Sequence, residues 1–525
     1  MKFRPGLLLI SCISFFTLTG FTGATDFCSP IYCDSPATDS DKPWYGISLP
    51  PGLAAPHKAP IDVSGFSPAP ALVPPGEEAF TELNGDAIYG LMEEFVSISE
   101  RDRASGRKRW GRITGIPGAQ QEAAEWVANQ FDEAGLSQVS VQEYGTKKSL
   151  ETAIDWELRL MGDEAFGMGS RDVVFESAFA TDGVLDQPVT APLKYVGRIL
   201  NPWYIPRDLE GKIAVQVVDL NLNNAVVSRF VLKLRNNLLI RRGALGVITV
   251  VLQVGNMQFW DFASNKKGGS FNLGNDDGRF LLSVMAAAKA EGKSDQLLMR
   301  MSRTGEVIEN PKGYNAVGIV DGYNNEESIV INAHTDGYFD GANDNGDGVA
   351  VMVAMARHFA KPENKPPVRL IFVGSGGHHQ ETLNGPEAFV RGNKDLLDNV
   401  KMIVNIEHVA AMDFVPGSQW SVNNREKKTN IGVAFRRRGI TGIIADAKER
   451  YGYRCLDTRV PFIFGDLLST ATFSGYPSLR APMMQSIHTQ GMYHSSGDVI
   501  EAISIPGLER AARFFTYFVD QTARL

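Results

Sequence analysis

Residues 332–348 read Asn-Ala-His334-Thr-Asp336-Gly-Tyr-Phe-Asp-Gly-Ala-Asn-Asp344-Asn-Gly-Asp-Gly. They follow an apolar run, Ser328-Ile-Val-Ile-Asn-Ala333, with the texture of a buried parallel strand. They precede residues 349–360, rich enough in Ala and Met to be a helix. A His-x-Asp thus stands where a strand ends, and Asn-Asp-Asn-Gly leads into the next helix. That edge of an open α/β sheet is where ligands bind. A histidine, several carboxylates and glycine-permitted turns are the ingredients of a first-row metal site. The same residues also suit a turn-forming loop with a capping Asp, so the rest of the chain must separate the two readings.

Working outward, the pattern is strand, helix, strand. Residues 317–320, 329–333, 368–373 and 402–406 read as strands, and 347–360, 386–397, 439–451 and 508–522 as helices. On the N-terminal side, residues 88–99 read as a helix and 139–143 alternate as a strand. Within 122–135, Ala123, Trp126, Val127 and Phe131 share one helical face, and Gly135 is a natural stop. The expected fold is α/β, a mostly parallel central sheet flanked by helices. Between residues 170 and 312 the texture changes to short strands (193–197, 212–218, 246–251) with one helix near 228–242. This predicts a smaller β-rich domain at 170–312, inserted into a larger one made of 78–169 and 313–525. The basic cluster Lys233, Arg235, Arg241 and Arg242 reads as the solvated face of the helix, with anion binding as the alternative.

A chain of 525 residues calls for more than one domain, and its net charge of −8 gives no reason to expect nucleic acid, which would favour a basic face. Lys2 and Arg4, an apolar core over residues 7–18 and Thr22-Gly-Ala24 predict a signal peptide over 1–24, and hence a secreted or periplasmic protein. The apolar core is too short to span a membrane comfortably, and no later stretch is a membrane span. Residues 25–77 form a Pro-rich arm, with ten prolines from Pro36 to Pro75. Cys28 and Cys33 are spaced to close a small disulfide loop in an oxidising compartment, and Cys455 has no evident partner. With no Cys-x-x-Cys pair, a thiolate zinc finger is excluded.

Of eight histidines, seven lie beyond residue 330. Gly374-Ser-Gly-Gly-His378-His379-Gln-Glu381 follows one strand, and Glu407-His408 follows another. A third cluster, Ile487-His488-Thr-Gln-Gly-Met-Tyr-His494-Ser-Ser-Gly-Asp498, lies near the C-terminus. With the opening motif, four strand-end loops each offer imidazole or carboxylate, which is how a catalytic metal centre is assembled. His358 lies within a helix and His57 in the arm, and both read as structural.

These blocks resemble the secreted di-zinc aminopeptidases of peptidase family twenty-eight. The family pattern is His-x-Asp, Gly-Ala-x-Asp-Asn-x-x-Gly, Glu-Glu, a later Asp and a His near the C-terminus. The matches are His334-Thr-Asp336, Gly341-Ala-Asn-Asp344-Asn-Gly-Asp-Gly348 and Tyr493-His494-Ser-Ser-Gly-Asp498. Residues 112–135 resemble the family's leading segment, and 170–312 its inserted protease-associated domain. The resemblance implies a peptide or protein substrate and zinc, two ions or one. It implies His334, His379, Glu407 and His494 as metal ligands with Asp344 as the bridge. It further implies Asp336 as the carboxylate that accepts the far N–H of His334, and a cis peptide after Asp344.

Two departures stand out. The Glu-Glu pair, general base then ligand, is replaced by His378-His379 when counted from Phe372, or by His379-Gln380 when counted back from Gly385. Glu407 stands where the family has Asp. The proton acceptor is then His378 or Glu381. The alternatives to an active aminopeptidase are a pseudopeptidase of the same fold serving as a binding module, and a non-peptide amide or ester hydrolase.

Overall fold

The protein is described by a computed structural model covering residues 39–49, 61–167, 169–180, 187–199, 205–220, 225–260, 269–380, 382–416, 420–435, 438–459, 481–487 and 492–525. The signal peptide, Cys28, Cys33, His57, Glu381 and His488 lie outside the described residues.

The first sheet has eight strands in the order Cys455–Arg459, Thr429–Ala434, Met483–Ile487, Val400–Asn405, Asn324–His334, Val368–Ser375, Lys312–Val320, Ser137–Gly145. The four central strands, from Met483–Ile487 to Val368–Ser375, run parallel, with Val330 opposite Ile371 and Asn332 opposite Asn405. Antiparallel pairings follow on both sides. Each central strand is apolar on both faces, because successive side chains point to opposite sides and both sides are covered. Ile329, Ile331, Leu370, Phe372, Met402 and Val404 meet the helices Gly85–Ala104, Ala119–Glu133, Asp347–Ala360, Ile440–Tyr451 and Ile505–Ala523. Val330, Ile371, Val373 and Ile403 meet Phe389 and Val390 of the helix Gly385–Gly392.

Helix Asp347–Ala360 is buried on every side, with only Arg357 and Ala360 not fully covered. That explains its Ala, Val and Met composition. Helix Ile505–Ala523 starts at Ser504, whose hydroxyl accepts the Gly507 amide, with Pro506 in the first turn.

A second eight-stranded sheet orders as Val173–Val174, Leu150–Leu160, Leu298–Ile308, Val189–Arg198, Ile213–Asp219, Gly246–Leu252, Gly269–Leu273, Phe179–Ala180. Its helices are Ala225–Arg241 and Asn275–Ala290, the latter not anticipated. The chain enters through Leu150–Leu160 and leaves through Leu298–Ile308, which pair antiparallel. The second body therefore begins near residue 150, not 170. Leu150–Leu160 alternates like any half-buried strand, and its partner is too distant in sequence for periodicity to assign it. The basic cluster also needs correction at one position. Arg235 is 1% exposed and donates to the Gln216 Oε1 and the Val196 carbonyl, so it belongs to the interior and not to a solvated face.

The arm docks on this body. Trp44 and Tyr45 are buried, Trp44 stacking on Phe166 at 5.8 Å, and Ile61–Asp62 pairs with the strand Trp420–Glu426. The second body's core runs on without a break into Trp110, Ile113, Tyr338 and Phe339, which border the histidine-bearing loops.

Candidate metal centre

His334 closes the strand Asn324–His334, whose neighbours Val368–Ser375 and Val400–Asn405 continue the sheet in opposite directions. A crevice forms at such a switch point, and the loops after all three strands open into it. Asp344 enters from the loop before helix Asp347–Ala360, through a cis peptide to Asn345.

Asp344 is the centre of the arrangement. Its Oδ1 lies 3.1 Å from His334 Nε2 and 3.2 Å from His408 Nε2. Its Oδ2 lies 3.0 Å from His494 Nε2 and 3.4 Å from His379 Nε2, and those two nitrogens are 3.1 Å apart. Each carboxylate oxygen thus faces its own pair of imidazoles. His334 Nε2 and both Asp344 oxygens are buried without a hydrogen-bond partner. Buried, unpartnered and converging nitrogen and oxygen atoms fit divalent cations. Burial opposes ionisation of Asp344, but His408 and His379 outweigh it and hold the carboxyl well below its usual range.

Asp336 works differently from the expectation. The Nδ1–H of His334 donates to the Asp336 backbone carbonyl at 2.9 Å, while the nearer carboxylate oxygen is 3.7 Å away. The carboxylate instead accepts the amides of His378 and His379, at 3.1 and 3.0 Å, and the Nδ1 of His379 at 3.2 Å. One residue therefore fixes the tautomers of two imidazoles, leaving both Nε2 lone pairs facing Asp344. Burial opposes ionisation of Asp336, yet the His379 hydrogen bond and the surrounding imidazoles hold its pKa below the usual range.

The supporting shell is polar and buried. The Arg112 guanidinium donates to the carbonyls of Thr335 (3.0 Å), Asp340 (2.8 Å) and Gly341 (3.0 Å) and to the Ser99 hydroxyl (2.6 Å), gripping the loop from both ends. The Asp498 carboxylate accepts the amides of Asn343 and Asp344, and burial, with Asp344 close by, pushes its pKa up to about 7. Asp347 Oδ2 accepts the amides of Val409 and Ala410, both at 2.9 Å, tying the loop that carries Glu407 and His408 to the loop that carries Asp344.

The second body also reaches the centre. The Trp260 amide donates to the His494 carbonyl at 2.9 Å and the Ser496 amide to the Gln258 carbonyl at 2.9 Å. The Trp260 ring stacks on Tyr338 with centroids 3.8 Å apart, and Tyr338 in turn contacts the His379 and His494 rings.

Of the expected site residues, His334, Asp336, Asp344, His379 and His494 converge. The His378 ring stacks on His334 at 4.3 Å. Glu407 Oε1 is 4.0 Å from His334 Nε2 and accepts the Asn405 side-chain amide at 2.8 Å. Sequence reasoning gave no role to Arg112, Asp498, His408 or Trp260. The first three lie inside motifs it singled out, whereas nothing in the sequence marks Trp260. His358 is away from the centre, paired with Glu82 at 2.7 Å.

Residues 315–519 match peptidase family M28. The chain carries a peptidase family M28 domain. That domain places it among the metallopeptidases. The zinc aminopeptidase BSAP from Bacillus subtilis superposes with a TM-score of 0.58 at 18% identity, over 84% of this chain and 95% of that one. An aminopeptidase from Aneurinibacillus sp. strain AM-1 gives 0.54 at 18% identity, with the same coverage of 84% and 95%. A peptidase M28 precursor from Shewanella amazonensis gives 0.58 at 15%, over 84% of this chain and 97% of that one. At these identities the likeness is one of fold. No curated protein matches the chain.

Proposed function

We propose that this M28 chain is an exported di-zinc aminopeptidase, with residues 1–24 as its signal peptide and the second body as a protease-associated insert. The observation that carries the reading is the Asp344 carboxylate, which offers one oxygen to His334 and His408 and the other to His379 and His494. These residues, with Glu407 beside them, would hold the ions. Bound there, two zinc ions would polarise the scissile carbonyl of a peptide and activate the attacking water.

The chain's own groups do the rest. Asp336 holds His334 and His379 in the tautomers that present Nε2 inward. His378, stacked beside His334, borders the centre and would serve as a proton acceptor. Tyr338 and Trp260 close the crevice on the side of the second body and limit water there. The presence of His378-His379 in place of two glutamates favours a second reading, a metallated but catalytically silent domain that binds peptides. The deciding experiment is hydrolysis of aminoacyl chromogens by the mature protein, compared with Asp344→Ala, His378→Ala and Glu381→Ala and with chelator treatment. Turnover abolished by chelator and by Asp344→Ala is expected. Turnover indifferent to both overturns the metallopeptidase proposal, and zinc binding without turnover selects the silent domain.

A further inference from the structure

We propose that His408, and not Glu407, completes the ligand set around Asp344, so that the centre is a pair of two-imidazole sites sharing one carboxylate. The assignment rests on the metal-centre reading above and sharpens it.

Distance is the first argument. Ligand atoms held about 2.0–2.1 Å from a tetrahedral zinc ion stand about 3.3 Å from one another. His408 Nε2 to Asp344 Oδ1 is 3.2 Å, beside 3.1 Å for His334 to the same oxygen. On the other side the three edges are 3.0, 3.4 and 3.1 Å. Glu407 Oε1 lies farther off, 4.0 Å from His334 Nε2, and groups with His334 and His378 and not with Asp344. It is also engaged elsewhere, at the end of a buried chain in which Asn332 donates to Asn405 at 2.6 Å and Asn405 to Glu407 at 2.8 Å.

Backbone conformation is the second argument, independent of the first. His408 and His494 take left-handed φ values of 51° and 54°. A non-glycine residue adopts that region at a cost and is held there by its surroundings. The surroundings are visible for His408: Asp347 anchors the next two amides, and the His408 amide itself points to Asn345 Oδ1 at 3.4 Å. Extended backbone at residue 408 would send its side chain elsewhere, so the two twisted histidines are aimed at opposite oxygens of one carboxylate.

The consequence concerns which metals the centre accepts. Four imidazoles and one carboxylate favour zinc, cobalt, nickel and copper over manganese and magnesium, which prefer oxygen donors. A site completed by Glu407 would shift toward oxygen and tolerate manganese better.

The test is metal content after equilibrium dialysis against buffered zinc, for wild type, His408→Gln and Glu407→Gln, with circular dichroism melts of each metal-free form. We expect about two zinc ions per chain in wild type and Glu407→Gln and about one in His408→Gln. His408→Gln retaining two, or Glu407→Gln falling to one, overturns the assignment alone. A wild type that holds no zinc overturns the metal-centre reading with it. Should His408→Gln fail to fold, X-ray absorption of zinc-loaded wild type decides: about two imidazoles per zinc support His408, and about one and a half refute it. A hundredfold excess of manganese displacing the zinc would also refute it.

Discussion

Arg112→Lys isolates what the buried guanidinium contributes. Arg112 is wholly buried, lies over the Phe95 ring at 4.4 Å and makes four hydrogen bonds, three of them to carbonyls of residues 335–341. Burial pulls its pKa down to about 10, the pull being opposed by Asp498, Asp336, Asp340 and Asp344, so it stays charged at neutral pH. Lysine keeps the charge but presents a single nitrogen, which cannot reach acceptors spread around a planar fork. Two or three buried acceptors then lose their donor, each at about 1–3 kcal/mol. Allowing for local relaxation, the expected loss is about 3–5 kcal/mol, read from the urea midpoint of the metal-free protein. Arg101→Lys, at an exposed pair with Glu122, is the control and should change stability by less than about 0.5 kcal/mol. A loss at Arg112→Lys below about 1 kcal/mol would refute the claim that this side chain fastens the metal-bearing loop.

Three further outcomes follow from the same geometry. Asp336→Asn removes the carboxylate that orients His379 and should weaken zinc binding about 10- to 100-fold in competition with a chromophoric chelator; unchanged affinity would contradict the tautomer argument. At Gly341, φ is 56° and an added Cβ would sit 2.7 Å from the Asp344 carbonyl. Gly341→Ala should therefore lower stability by about 1–3 kcal/mol and reduce zinc content, and a variant as stable as wild type would show that the loop has room to spare. Away from the site, Glu82 is buried, which opposes its ionisation, yet hydrogen bonds from His358 and Lys361 bring its pKa down to about 2 from 4.5. A depressed carboxylate stabilises the fold above its unfolded pKa and loses that contribution as pH falls toward the folded one. Wild type should thus exceed Glu82→Gln by about 2–3 kcal/mol at pH 6, with the gap closing between about pH 4.5 and 2; a gap constant over that window would rule out the ion pair as its source.

The sequence by itself determined the parallel core and the sheet edge at which the histidine-bearing loops gather. Runs such as Val368-Arg-Leu-Ile-Phe-Val are apolar on both faces, which only a sheet covered on both sides satisfies. Histidines and carboxylates following such runs mark the loops at one sheet edge, and the family resemblance singles out His334, Asp344, His379 and His494 among them. These are local signals, carried by spacing of a few residues. What the tertiary structure decided depends on residues far apart in the chain. Leu150–Leu160 joined the second sheet because Leu298–Ile308 lies beside it, and Arg235 went inward because Gln216 and Val196 supply its acceptors. The Asp336 carboxylate turned to His379 because its own carbonyl had already taken His334. In the sequence, the resemblance assigns no role to His408 and the ligand role to its neighbour Glu407. Only the anchoring of their loop by Asp347, which twists the backbone at His408, sets one toward Asp344 and the other toward Asn405.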